Sequence, residues 1–89
     1  MQRKIALVTG ATRGIGRSIA QELADQNVFV IGTATSEKGA DAISAYLGEK
    51  GTGLVLNVAD KLSIETTLTQ INEKFGDIDI LVNNAGITR

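Results

Sequence analysis

Four short apolar runs alternate with three longer segments of helical periodicity, and this alternation constrains the fold more than any other feature of the sequence. The apolar runs lie at residues 5–8, 28–31, 54–56 and 80–82, and none of them alternates with polar residues. Continuous apolar runs of this length are typical of parallel strands that are covered on both faces. The pattern therefore predicts a βαβαβαβ chain.

The three intervening segments are predicted to be helices with recognisable ends. The first begins at Gly14 and ends near Gln26, because Asn27 suits a left-handed cap. Ser36 and Asp60 are suited to cap the second and third helices at their N-termini. The side chains expected to face the sheet are Ile15, Ile19, Ala20, Leu23, Ala24, Ala40, Ile43, Leu47, Ile64, Leu68, Ile71 and Phe75.

Crossover connections between parallel strands are right-handed in nearly all proteins, so few topologies fit this order of elements. We expect an α/β fold with a Rossmann-type doubly wound parallel sheet in the strand order 3-2-1-4, formed by residues 1–89 as one unit. In such a sheet the carboxyl ends of the strands meet at one edge, where ligands bind. Side chains and turns at the strand ends are therefore the candidates for function.

Composition excludes several classes of function. The 89 residues contain no cysteine and no histidine, which excludes disulfides, zinc sites of the usual ligand spacing and a local histidine base. The net charge of −1 is accompanied by no basic stripe, so nucleic acid is not an expected partner. The apolar run after Met1 is too short for a signal peptide or a membrane span, and a cytoplasmic location is expected.

A glycine-rich turn, residues 9–16, directly follows the first strand and opens into the first helix. A dinucleotide diphosphate can approach backbone N–H groups at a helix N-terminus only where no Cβ holds it away. We expect Gly10 to permit the tight turn, Gly14 to permit close approach of the phosphates and Gly16 to let the helix pack closely. Glycines also mark ordinary turns between strand and helix, but a strand before, a helix after and two further strand ends at the same edge of the sheet together favour a dinucleotide site.

The spacing of this turn, Thr-Gly-x-x-x-Gly-x-Gly, resembles the first turn of the short-chain dehydrogenase/reductase family. Asn83-Asn84-Ala85-Gly86 follows the fourth strand and is similar to a second signature of that family. The resemblance covers the whole chain and implies a dinucleotide site. The cofactor-binding residues expected there are Gly10, Ala11, Thr12, Arg13, Gly14, Ile15, Gly16, Thr35, Asn57, Val58, Asn84, Ala85 and Gly86.

The end of the second strand favours NADP(H) over NAD(H). Proteins that select NAD place an acidic residue there, and none occurs between Val28 and Ser36. Arg13 in the glycine-rich turn can pair with a 2′-phosphate through two parallel hydrogen bonds, although it can also be a solvated turn residue. Hydroxyls at Thr33, Thr35 and Ser36 lie where the adenosine ribose is expected, but β-propensity explains Thr33 equally well.

Two further strand ends complete the expected site. Asn57 and Val58 stand where the family usually has an aspartate and an apolar residue facing the adenine, so an acceptor oxygen is retained without its charge. Asp60 is expected to cap a helix rather than to contact adenine. By resemblance Asn84 contacts the cofactor ribose, whereas Asn83 is expected to brace neighbouring strands.

Within the family, the sequence most resembles bacterial reductases that act on 3-oxoacyl groups carried by acyl carrier protein, in fatty-acid synthesis. The resemblance implies a homo-oligomeric enzyme whose catalytic Ser and Tyr-x-x-x-Lys lie downstream of Gly86, so the 89 residues alone are expected to be inactive and to lack catalytic residues. The alternatives are a family member with a different carbonyl substrate, a non-catalytic dinucleotide-binding module and a structural fragment. An exposed apolar strand edge is expected when these residues are isolated.

The chain also contains one Tyr-x-x-x-Lys pattern, from Tyr46 to Lys50. It lies at the C-terminal end of the second helix, which is expected at the edge of the sheet opposite the cofactor. Gly48 interrupts the helical register that would align the two side chains. We therefore expect Tyr46 to be a partly buried helix residue and Lys50 a solvated charge.

Overall fold

The computed structural model describes residues 4–12, 14–57 and 60–84, which form a four-stranded parallel sheet with a helix in each crossover. The strands are β1 (Ile5–Val8), β2 (Phe29–Ala34), β3 (Gly51–Val55) and β4 (Ile80–Val82). The helices are α1 (Gly14–Asp25), α2 (Glu37–Leu47) and α3 (Lys61–Lys74), and a 3-10 turn at Gly48–Lys50 follows α2. The strand order is β3-β2-β1-β4, which confirms the predicted Rossmann-type topology.

The predicted helix ends are confirmed by their hydrogen bonds. The Ser36 hydroxyl accepts a hydrogen bond from the Gly39 N–H at 3.2 Å and so caps the N-terminus of α2. The Asp60 carboxylate accepts hydrogen bonds from the N–H groups of Leu62 and Ser63 at 3.1 and 3.4 Å and so caps the N-terminus of α3. Asn27, with φ of +67°, follows α1 in the left-handed conformation.

Strands β2 and β3 differ from the predicted segments. β2 continues through Ala34 because β3 pairs with it as far as Val55. β3 begins at Gly51 rather than at Leu54, because Gly51 pairs with Val30 of β2. The two backbones approach too closely at Gly51 for a side chain there. A Cβ on Gly51 would overlap the Val30 carbonyl oxygen. Glycine is depleted in strands generally, so the apolar pattern missed the first half of β3.

The core occupies both faces of the sheet. In β1, Ala6 and Val8 point to the face covered by α1 and α2, whereas Ile5 and Leu7 point to the face covered by α3. Ile43 on α2 and Ile71 on α3 are the largest buried helix residues. Through these side chains, α2 packs on one face of the sheet and α3 packs on the other.

Two helix positions predicted to face the core are exposed. Ile15 is 72% exposed, because α1 packs through the small residues Gly16, Ala20 and Ala24 instead. Leu68 is 37% exposed because the cavity that it lines beside Leu81, on the outer strand β4, is open. In the part of the chain that the structure describes, no helix has the length and apolar content needed to cross a membrane.

Candidate functional site

The glycine-rich turn at the carboxyl end of β1 contains two glycines in the left-handed conformation. Gly10 and Gly14 both have φ of +65°, a region that glycine adopts without the steric cost of a Cβ. A Cβ built on Gly14 meets no atom within 4 Å, so this side of the backbone is open. At Gly16, by contrast, a Cβ would overlap the Gly10 carbonyl oxygen and lie 2.7 Å from the Asn84 amide nitrogen. Gly14 thus leaves its backbone approachable, whereas Gly16 allows α1 to contact the turn.

Hydrogen bonds from β2 hold the first half of the turn. The Gly10 N–H donates to the Thr33 hydroxyl at 3.4 Å, and the Ala11 N–H donates to the Thr33 carbonyl at 3.0 Å. Thr33 is only 1% exposed. Its hydroxyl is therefore a buried support for the turn, which favours the explanation of Thr33 as a strand residue over a contact with the adenosine ribose.

The two asparagines after β4 fasten the turn from the other side. The Asn84 side-chain amide donates to the Gly10 carbonyl at 3.2 Å, and the Thr9 hydroxyl donates to the Asn83 side-chain oxygen at 3.3 Å. The Thr9 N–H also donates to the Val82 carbonyl at 3.0 Å. Asn83 braces neighbouring strand ends as expected, and Asn84 braces the turn as well.

The start of α2 meets the turn at Thr12. A Cβ on Gly39 would lie 2.9 Å from the Thr12 methyl carbon and 2.7 Å from the Ala34 Cβ, so the end of β2 and the turn converge there. Thr35, the next residue after β2, is exposed at this junction. The Ser36 hydroxyl accepts the capping hydrogen bond of α2 and remains exposed.

The end of β3 contributes Asn57, which is exposed. Its carbonyl accepts a hydrogen bond from the Asp60 N–H at 3.0 Å, and the Asp60 carboxylate caps α3 as described above. Capping, rather than adenine contact, is therefore the role of Asp60 that its hydrogen bonds support. The predicted site residues Arg13, Val58, Ala85 and Gly86 lie outside the described residues.

The N-terminus of α1 makes the site suited to an anion. The first N–H groups of a helix have no acceptor within that helix, and the helix dipole places partial positive charge on them. The first turn of α1 contains no acidic side chain that would compete for these groups. Residues 14–16 therefore offer backbone donors to a phosphate beside the open face of Gly14.

Tyr46 reaches the glycine-rich turn, although its helix position suggested the opposite edge of the sheet. Its hydroxyl donates to the Ala11 carbonyl at 2.5 Å, and the Arg17 guanidinium lies 4.7 Å from the centre of its ring. The prediction failed because a long helical side chain extends toward the N-terminus of its helix, which in α2 is the carboxyl edge of the sheet. Its spacing after Ile43 gave only the signal of a packed helix residue.

The Tyr46 hydroxyl is engaged with the backbone of the turn through its hydrogen bond to Ala11. Burial raises the pKa of the Tyr46 hydroxyl above its usual value, and the Arg17 charge only partly opposes this. Lys50, the other member of the Tyr-x-x-x-Lys pattern, lies in the 3-10 turn and pairs with Asp25 at 3.7 Å on the exposed surface. α2 ends at Leu47 with Gly48 as its cap, so the helical register is interrupted between the two residues, as predicted.

Comparison with known proteins gives relatives along the whole chain. The chain is 79% identical over 89 residues to the 3-oxoacyl-[acyl-carrier-protein] reductase FabG of Haemophilus influenzae. The match covers 100% of this chain and 37% of that protein. It is 67% identical over 86 residues to the Escherichia coli protein of the same name, covering 97% of this chain and 35% of the relative. The chain thus spans little more than a third of the length of these relatives.

A family model supplies the assignment independently of individual relatives. The model described as short chain dehydrogenase matches residues 4–89, from the residue before β1 to the end of the chain. The matched region includes both the glycine-rich turn and the asparagines after β4. With the observed sheet order and the relatives described above, these findings establish that the chain belongs to the short chain dehydrogenase family.

Proposed function

We propose that residues 1–89 are the NADP(H)-binding half-domain of a longer reductase that converts 3-oxoacyl-[acyl-carrier-protein] to 3-hydroxyacyl-[acyl-carrier-protein] in fatty-acid synthesis. The observation that carries the cofactor part is the glycine-rich turn, with an open backbone face at Gly14, the first residue of α1. The substrate part rests on the names of the relatives that are 79% and 67% identical. Acyl carrier protein is accordingly the proposed carrier of the substrate, and we expect a cytoplasmic homo-oligomer.

In this proposal, residues 1–89 bind and orient the dinucleotide and do not catalyse the reaction by themselves. Backbone N–H groups at residues 14–16 bind the diphosphate, and Arg13 pairs with the 2′-phosphate. Thr35 and Asn57 are proposed to border the adenosine and Asn84 to contact the cofactor ribose, and Ala85 and Gly86 are proposed as further cofactor-binding residues. When bound, the nicotinamide supplies the hydride that reduces the substrate carbonyl. The proton donor lies in the longer protein, so residues 1–89 alone are proposed to be inactive.

Preference for NADPH can be tested at Arg13 in the full-length protein. We expect Arg13→Ala to raise the Kd for NADPH at least about tenfold, because a charge-assisted pair with the 2′-phosphate is lost. The Kd for NADH should change little, since NADH has no 2′-phosphate. Fluorescence titration of both cofactors measures the difference, and equal losses for the two would contradict the role of Arg13.

The reaction is tested by following NADPH oxidation with a 3-oxoacyl thioester of acyl carrier protein. We expect turnover by the full-length protein and none by residues 1–89. NADPH binding without oxidation of any 3-oxoacyl substrate would favour a family member with another carbonyl substrate or a non-catalytic dinucleotide-binding module. Absence of NADPH binding by the full-length protein would contradict the cofactor assignment itself.

A further inference from the structure

The backbone of Ala11 is held by hydrogen bonds from two elements, β2 and α2, that lie far from it in the sequence. Its N–H donates to the Thr33 carbonyl on β2, and its carbonyl accepts from the Tyr46 hydroxyl on α2. Ala11 is completely buried with both partners in place. Because a buried carbonyl without a partner is costly, loss of the tyrosine hydroxyl would favour other conformations of this part of the turn.

The same tyrosine also contacts the first turn of α1. The Arg17 guanidinium lies over the Tyr46 ring, in the geometry of a cation–π contact. Arg17 is one residue after Gly16, so the ring touches the helix whose N-terminus is proposed to bind the diphosphate. One side chain from the last turn of α2 therefore joins the glycine-rich turn to the helix that follows it.

We propose that Tyr46 is a positioning residue that holds the glycine-rich turn and the start of α1 in the geometry that binds the dinucleotide diphosphate. This inference rests on the proposed function. The hydroxyl approaches Ala11 from α2 and makes no contact with the open face of Gly14. Tyr46 thus acts on the cofactor only through the backbone. The raised pKa of its hydroxyl keeps the group protonated, and hence a donor, through the neutral pH range.

Removal of the hydroxyl alone tests this role in the full-length protein. We expect Tyr46→Phe to raise the Kd for NADPH about two- to tenfold, the range that corresponds to one hydrogen bond. The affinity falls because the turn spends less time in its binding geometry. We expect KM for NADPH to rise and kcat to change little, because at saturation the bound cofactor itself holds the turn in its binding geometry.

Ser44 on the same helix provides a matched control. Its hydroxyl accepts a hydrogen bond from the Gly53 N–H at 2.8 Å, so Ser44→Ala also removes one partly buried hydrogen bond of α2, but one directed to β3. Chemical denaturation compares the stability of the two variants, and NADPH titration compares their affinity. We expect both to lose stability and only Tyr46→Phe to lose affinity.

The outcomes separate this inference from the proposed function. Unchanged affinity in Tyr46→Phe, or an equal loss in Ser44→Ala, would show that Tyr46 has only a general structural role and would overturn the inference. Failure of the unsubstituted full-length protein to bind NADPH would instead overturn the proposed function. Loss confined to Tyr46→Phe, with kcat retained, would support both.

Discussion

At the scale of single residues, Gly14 and Gly48 both have positive φ and open space where a Cβ would stand. Their φ values are +65° and +59°, and a Cβ on either meets no atom within 4 Å. Only Gly14 lies in the helix proposed to bind the diphosphate, as its first residue, whereas Gly48 follows α2. The pair therefore separates the cost of a left-handed alanine from an effect on ligand binding.

We expect Gly14→Ala and Gly48→Ala each to lower the free energy of unfolding by about 1–3 kcal/mol, the cost of a Cβ at positive φ. Gly14→Ala should in addition raise the Kd for NADPH at least about tenfold, because its methyl group occupies the side on which phosphate approaches. Denaturation and NADPH titration of the full-length protein measure the two effects. Normal NADPH affinity in Gly14→Ala would contradict the proposed site.

At the scale of elements, caps fix where the helices begin, and those at Ser36 and Asp60 were evident from residue type and position. The ends of β2 and β3 were less evident. Gly51 and Gly53 in β3 have no room for side chains: at Gly53 a Cβ would overlap the Ala40 carbonyl oxygen of α2. Such close contact arises only when helix and strand are packed together, so no periodicity along the chain reveals it.

The Asp60 cap gives a prediction for α3. Asp60→Ala should lower the free energy of unfolding by about 1 kcal/mol, whereas Asp60→Ser, which retains an accepting oxygen, should lose much less. NADPH affinity should be unchanged in both variants, because the Asp60 carboxylate is engaged with the first turn of α3. A large loss of affinity in Asp60→Ala alone would instead support an adenine contact.

At the scale of the whole molecule, β4 is the outer strand of the sheet among the described residues, and its Leu81 side chain is largely exposed. Leu81 is 64% exposed and, together with Leu7, Leu56, Ile64 and Leu68, lines a cavity of about 200 Å³. Exposed apolar surface beside a strand edge favours association with another chain. We expect residues 1–89, when isolated, to self-associate through this face.

Leu62 offers a control for that expectation, because it is 71% exposed on α3 and does not line the cavity. In isolated residues 1–89, Leu81→Gln should weaken self-association at least about tenfold, as expected when a leucine is removed from a buried interface. Leu62→Gln should have little effect. Sedimentation over a range of concentrations tests both, and equal behaviour of the two variants would exclude the β4 face as the interface.

The sequence alone determined the order of elements, the sheet topology, the helix caps and the family, because each depends on local periodicity, on residue type at a helix end or on a short motif. The tertiary structure decided which side chains support the glycine-rich turn. Thr33 and Tyr46 are 22 and 35 positions after Ala11 and became its partners only when β2 and α2 packed against β1 and α1. Their residue types are ordinary for a strand and a helix, so the sequence carried no signal of that contact.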